Sequence, residues 1–295
     1  MTDSHSNDGT IQALQSVLDA MIDPINQLFF HSRMMRSWGH SLGMARNMEW
    51  IAKMQRTGTL AVALRKHGAG PCSREARDLV IGQDATSILN SDTDQTRWFI
   101  DVVERAVEQC SQEADREVLE GIAAAEHADL VRLEGWSKGP EAHEQPRGAK
   151  FLLPKPGSTE IAFGAINAVL PAMTSSVSQV FHHSLIFKGM GNEELAEREL
   201  NLAVVMMYRS EAMLERLLDL GGAPDGRGHG KVTIGEGERG SDEATLVTFD
   251  ALIPTLDSAR KPIGGFADPT THTLLDGIAR ALRDDRAVVA ARLAA

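Results

Sequence analysis

The chain writes one helix twice. Residues 25–39, INQLFFHSRMMRSWG, return as residues 177–191, VSQVFHHSLIFKGMG, with Gln27, Phe29, His31, Ser32 and Gly39 matched by Gln179, Phe181, His183, Ser184 and Gly191 at a constant offset of 152. A second pair of segments does the same. In HGAGPCSREARDLVIGQ (67–83) and LGGAPDGRGHGKVTIGE (220–236), Gly68, Pro71, Ile81 and Gly82 recur as Gly221, Pro224, Ile234 and Gly235, 153 residues later. A period near 150 residues is that of a duplicated domain, because solenoid units run only about 20 to 50 residues. With 42% hydrophobic residues, 295 residues are enough for two cores.

Within each copy, apolar spacing and the breakers between segments mark four helices. They are expected over 11–37, 42–66, 82–109 and 112–135, and again over 162–189, 193–220, 240–260 and 269–293. Alternating β-branched runs are nearly absent, so the expected fold is all-α. Residues 137–160 hold four of the 11 prolines and read as a linker. This divides the chain into bundles over 9–136 and 161–295. The long matched loops between the second and third helices are what a four-helix bundle needs when those two helices run parallel.

Composition excludes more than it suggests. A formal net charge of −11 argues against nucleic acid as a partner. The opening MTDSHSNDGT has neither the basic flank nor the apolar stretch of a signal peptide. No uninterrupted apolar run reads as reaching the roughly 20 residues that span a bilayer. A cytoplasmic protein without a membrane partner is therefore expected, with Cys72 and Cys110 reduced. The Gly-rich stretch 225–240 lacks the strand-before, helix-after setting of a phosphate loop, and no Ser/His/Asp or Cys/His arrangement stands out. His31 and His183 read as helix-packing residues.

In the second copy, FHHSLIFKGMGNEELAEREL, MLERLLDLGGAPDGRGHGKVTIGEG and LLDGIARALRDDRAVVAARL resemble bacterioferritin over nearly the whole bundle. The first copy is similar to it through INQLFFHSRMMRSWG, the loop around Pro71, VIGQD and EHADLVRLE. The resemblance implies a tandem pair of ferritin-like four-helix bundles forming a pseudo-two-fold dimer. It also implies two metal functions to be sought: a di-iron ferroxidase centre inside each bundle, and a b-type haem at the two-fold interface held by one Met from the second helix of each partner.

Position by position, the di-iron set is gone. Its places are Met21, Lys53, Arg56, Thr96, Glu126 and Asp129 in the first copy, and Met173, Met206, Arg209, Phe249, Leu282 and Asp285 in the second. Iron oxidation needs bridging carboxylates completed by imidazoles. Glu126 is retained and Asp129 is a carboxylate at a His place, so these two are the residual metal candidates. No di-iron centre and no ferroxidase activity are expected. The third helix has the weakest anchors, and a shift there would bring Asp94 or Asp250 inward. Both copies exchange His for Arg on the second helix and for Asp on the fourth, so Arg56 with Asp129 and Arg209 with Asp285 are expected as ion pairs.

The haem methionines of the family are matched by Met54 and Met207, each one residue past a lost carboxylate and so about 100° round the helix from the interior. A thioether is a soft ligand suited to haem iron. Ile25, Asn26, Phe29 and Ile51 of the first copy, with Val177, Phe181 and Val204 of the second, are expected to line the slot. Ser178 stands where Asn26 has its counterpart. The competing reading of either Met is core filling, since the chain has 12. The expected function is haem binding with bis-methionine ligation, in haem or iron storage or electron transfer. Self-association, or co-assembly with a bacterioferritin or another redox protein, is expected. The alternative is a haem-free structural subunit that co-assembles with an active bacterioferritin or is packaged as cargo. The chain stops after its last long helix, without the short fifth helix that lines cage channels in that family, so a complete cage is not expected.

Overall fold

The computed structural model describes residues 3–69, 73–75, 78–144, 158–227, 231–264 and 268–295. These are overwhelmingly helical, and the fold is all-α. In chain order the elements are α1 (Asp3–Ser37), α2 (Gly43–Lys66), β1 (Ser73–Glu75), α3 (Ala85–Gln109), α4 (Glu113–Lys138), a 3₁₀ turn (Pro140–His143), α5 (Ser158–Asn167), α6 (Leu170–Gly189), α7 (Glu193–Asp219), β2 (Lys231–Thr233), α8 (Gly237–Arg260) and α9 (Pro269–Ala294).

The helix ends follow from named residues. Gly39 and Gly191 take φ of 68° and 74°, the left-handed conformation that a side chain resists. Each lets the chain fold back so that the amide three residues past the helix meets a carbonyl inside it: His40 N to Met35 O at 2.9 Å and Asn192 N to Phe187 O at 3.0 Å. The repeated Gly is thus a C-terminal stop. Helix α3 begins at Ala85 rather than 82 because Asp84 caps it, accepting from the Ser87 amide at 2.7 Å. The stretch expected as one helix over 162–189 is broken between Asn167 and Leu170, with Pro171 in the first turn of α6.

In the first copy α1 packs on α2 and α3, and α4 on α3 and α2; in the second, α6 packs on α7 and α8, and α9 on α8 and α7. The copies meet through α2 on α6, α1 on α7 and α1 on α6. One apolar cluster runs without a break through both copies, from Leu14 and Phe99 to Leu214 and Leu282. A smaller cluster around Met34, Trp38 and Leu133 closes one end of the first copy.

Three findings differ from the sequence expectation. The two crossover loops pair with each other: β1 and β2 are antiparallel, with Ser73 opposite Thr233 and Glu75 opposite Lys231. Strands of three residues are too short to show alternation. The linker is not free at its start. Pro140–His143 is seated on the first copy, where His40 Nε2 lies 2.9 Å from the Glu141 carbonyl and Thr86 Oγ donates to the Ala142 carbonyl at 2.6 Å. Finally, Glu160–Gly189 is long and apolar enough, by length and composition, to cross a bilayer. Ser, Thr, Gln and His interrupt it without adding charge, and 67% of its most apolar window is buried among the other helices. Cys110 is a buried free thiol, and Cys72 lies outside the described residues.

Candidate functional site

The repeated Gln and His explain themselves first. They are four residues apart on one helix face. Gln27 Oε1 accepts from the Val80 amide at 3.2 Å, and His31 Nε2 accepts from the Gly82 amide at 3.0 Å. In the second copy Gln179 Oε1 accepts from Thr233 N at 3.1 Å and His183 Nε2 from Gly235 N at 3.0 Å. Alternate amides of an extended segment point the same way, so each pair fastens one crossover to its helix. The packing role expected of these histidines is in fact a hydrogen-bonding one. Because Nε2 accepts, His31 carries its proton on Nδ1 and donates it to Asp92 Oδ1 at 2.7 Å.

The interior of the first bundle holds a closed network of charge. Lys53 donates to Glu126 in a short contact, and Arg56 Nη1 reaches Glu126 Oε1 and Glu49 Oε1, each at 2.9 Å. Arg46 bridges Asp129 Oδ1 and Asp92 Oδ2, both at 3.0 Å, and Arg132 adds a bond to Asp129 at 3.2 Å. Burial alone would raise the Asp92 pKa, but His31 and Arg46 outweigh it and hold the carboxyl well below the usual range. Burial likewise opposes the charge on Arg46, and Asp92 with Asp129 more than restores it, raising its pKa.

The expected pairing of Arg56 with Asp129 is therefore corrected: Arg56 serves Glu126, and Asp129 is held by Arg46. The reason is helix direction. Contacts of His67 with Asp115, Arg56 with Glu126 and Arg46 with Asp129 run in opposite order along α2 and α4. The later carboxylate on α4 thus meets the earlier cation on α2. The second expected pair is present, with Arg209 Nη1 at 2.5 Å from Asp285 Oδ2. On the third helix of each copy the side chains divide plainly between inside and outside. Thr96 and Phe249 are buried, while Asp94 and Asp250 face outward to Arg97 and Arg286.

Arg46 and Asp92 were not singled out from sequence, although Arg46 falls on the same helical stripe as Lys53. In the second copy the places of Met173, Met206, Phe249 and Leu282 are filled by those buried apolar side chains. Among the described residues no group of three or more His, Cys, Asp or Glu is arranged to hold a metal ion.

The seam between the copies is the other candidate. Asn26 and Ser178, equivalent by the 152 offset, meet directly: Ser178 Oγ donates to Asn26 Oδ1 at 3.1 Å, with both side chains buried. Along the α2–α6 contact, a Cβ added at Gly58 would stand 2.6 Å from Leu185, and one at Gly189 would collide with Val62. Along α1–α7 the equivalent positions, Arg33 and Glu211, form an ion pair at 3.7 Å. Burial pushes the Arg33 guanidinium down to about 10 against the pull of Glu211. It still carries its charge, over the rings of Phe29 and Trp50 at 4.6 and 4.5 Å.

Of the expected slot residues, Met54 (3% exposed), Ile25, Asn26, Phe29 and Val177 are buried, while Ile51, Phe181, Val204 and Met207 are half-buried. Both methionines adjoin the same apolar cluster. Neither lines the cavity of about 500 Å³ between α6 and α8, the cavity of about 560 Å³ at the Lys66–Lys188 end of the seam, or the cavity of about 280 Å³ beside Arg36 and Glu211.

Polar atoms buried at the seam without a hydrogen-bond partner include Asn26 Nδ2, Arg33 Nε and His182 Nε2. No family model matches the chain.

Proposed function

We propose that the chain is a tandem bacterioferritin-like protein. In this reading two ferritin-like bundles sit about a pseudo-two-fold axis and hold one b-type haem at their seam, in haem or iron storage or electron transfer. The observation that carries it is the seam itself. Positions equivalent by the repeat meet each other at Asn26 and Ser178, and the Gly58–Leu185 contact is mirrored by Glu211–Arg33. A duplicated chain can supply from one molecule the two faces that a two-fold site requires, which answers why the helix is written twice.

A thioether is a donor that haem iron takes, and because neither Met54 nor Met207 lines the three cavities above, haem would have to part the helices at the seam to enter. Met54 brings a thioether into the same apolar cluster as Ile25, Phe29 and Val177, and the unspent Asn26 Nδ2 and His182 Nε2 are polar atoms that a ligand at the seam would satisfy. Iron in a bound haem takes up and releases one electron, at a potential raised by thioether ligation. The chain's own part is to exclude water around that sulfur and to keep competing iron out of the bundle interiors. In the first copy Lys53, Arg56 and Arg46 occupy the carboxylates that iron would need.

A haem-free scaffold is the second reading, favoured by the packing of Phe29 against Phe30 and Trp50, with ring centroids 5.6 and 5.5 Å apart. One experiment separates the two. Protein expressed with haem supplied and then purified has a Soret band under the first reading, and Met54→Leu weakens it. Absence of the band from correctly folded protein leaves the scaffold.

A further inference from the structure

We infer that the cavity at the Lys66–Lys188 end of the seam binds a small organic carboxylate with a compact apolar body, of the size and class of benzoate. Such a site stands whether or not the seam holds haem.

The two ends of the seam carry sister cavities, one of about 560 Å³ and one of about 280 Å³. The offset of 152 carries Arg33, Arg36 and Ser37 of α1 onto Leu185, Lys188 and Gly189 of α6. The offset of 153 carries Gly58, Val62 and Lys66 of α2 onto Glu211, Glu215 and Asp219 of α7. All of these residues line one cavity or the other, so equivalent positions build both.

Their charge is not equivalent. In the smaller cavity Glu211 lies 3.7 Å from Arg33 and 3.6 Å from Arg36, and Glu215 and Asp219 add two more carboxylates. The chain there supplies its own anion. In the larger cavity the three acidic places are taken by Gly58, Val62 and Lys66, while one cation is kept as Lys188. Among the described residues neither Lys66 nor Lys188 has an ion-pair partner. Asp115 of α4 also lines this cavity, but it is engaged by His67, with Nε2 and Oδ2 2.6 Å apart. A basic residue in the last turn of a helix complements the helix dipole, and both lysines stand in such a turn. Arg36 does too, at the end of α1, and the sister cavity still gives it Glu211.

Shape and lining select the rest of the occupant. The volume falls within the roughly 300 to 1,000 Å³ of small-molecule sites. Gly58 and Gly189 line the cavity and are also where α2 and α6 close on each other, against Leu185 and Val62. That leaves room for a short ligand rather than a long chain. Val62, Val118 and Leu185 give it an apolar, half-buried wall, and the two lysines are exposed at its mouth. An ammonium is a compact point charge that a single carboxylate satisfies, and an apolar wall strengthens that attraction. A carboxylate at the lysines with its body on the wall replaces the anion that Glu211 provides at the other end.

The test titrates the full, haem-free chain with benzoate by calorimetry and follows Val and Leu methyl groups by NMR. One benzoate per chain is expected, with the largest shifts at Val62, Val118 and Leu185 and an affinity that falls as salt rises. Benzamide, of the same shape and uncharged, should bind roughly tenfold more weakly. Lys66→Asp, which copies Asp219 at an exposed position, should cost roughly tenfold in benzoate affinity; Lys188→Gln should weaken it as well, and Arg36→Gln in the sister cavity should leave it unchanged. Benzamide binding as tightly as benzoate, undiminished binding by Lys66→Asp, shifts confined to other methyl groups, or no binding by the folded chain overturns the assignment. Inorganic phosphate binding as tightly as benzoate overturns the ligand class, because charge alone would then account for the site.

Discussion

Lys53→Met tests the account of the first bundle's interior without reference to any ligand. Lys53 is 1% exposed and Glu126 is fully enclosed, so the substitution leaves a buried carboxylate with Arg56 as its remaining cation at 2.9 Å. Breaking a buried pair from one side costs about 3 to 5 kcal/mol. The retained Arg56 puts the expected loss near the lower end, about 3 kcal/mol. Glu126→Leu is expected to cost as much or more, because Lys53 then keeps only Asp129 at 3.7 Å and Glu49 at 3.9 Å. The double variant copies the second bundle, which has Met206 and Leu282 at these places. Replacing both charges by apolar groups is often neutral or stabilising, so it should return to within about 1 kcal/mol of the parent or exceed it. Urea unfolding reads this directly. With a slope of about 3 kcal/mol per molar, each single variant lowers the midpoint by roughly 1 M and the double one hardly at all, a coupling energy of several kcal/mol. A single Lys53→Met variant as stable as the parent, or a double variant that loses the sum of both, would refute the reasoning.

Other consequences are as specific. His182 has a folded pKa of about 4 against an ordinary value near 6.5. The unfolded chain therefore takes the proton first, and the stability this residue permits is complete above pH 6.5 and lost as pH falls toward 4, by about 3 kcal/mol in all. Subtracting the haem-free His182→Phe stability curve from the parent's should isolate that slope; parallel curves between pH 4 and 6.5 would contradict it. Arg209→Met should cost no more than about 1 kcal/mol, because the Arg209–Asp285 pair is partly open to water; chemical denaturation that finds a loss as large as at Lys53 would mean the pair is sealed. Gly191→Ala, at φ 74°, is expected to lower stability by about 1 kcal/mol through left-handed strain alone, which thermal unfolding can check against an Ala at the helical Gly121.

The helices were legible because they are long, regularly spaced and bounded by Gly and Pro, and apart from the start of α1 and the break between α5 and α6 the observed boundaries fall close to where the pattern ends. The apolar interior of the second bundle at Met173, Met206, Phe249 and Leu282 was legible too, since apolar character at a given helical position needs no partner to be read. What was not legible depends on elements distant in sequence. Pairing of β1 with β2 joins residues 156 to 160 apart, from Glu75 with Lys231 to Ser73 with Thr233. The exchange of partners between Arg56 and Asp129 turns on the antiparallel run of α2 and α4. In sequence His182 and His183 are adjacent, and adjacent helix positions diverge by about 100°, which argues against their sharing one ion. That reasoning holds for a shared ion, but it does not ask what each ring meets alone. His183 meets the crossover amide of Gly235, whereas His182 Nε2 meets nothing.

The most direct measurement of the central claim is a haem titration of the purified, haem-free chain, followed at the Soret band and paired with the oligomeric state of the product. Because α2 packs against α6 of the same chain and Met54 belongs to the apolar cluster that joins the copies, the account predicts saturation at one haem per chain, with Met54→Leu abolishing the tight phase. Saturation at one haem per two chains, or a folded protein that never develops the band, would contradict it.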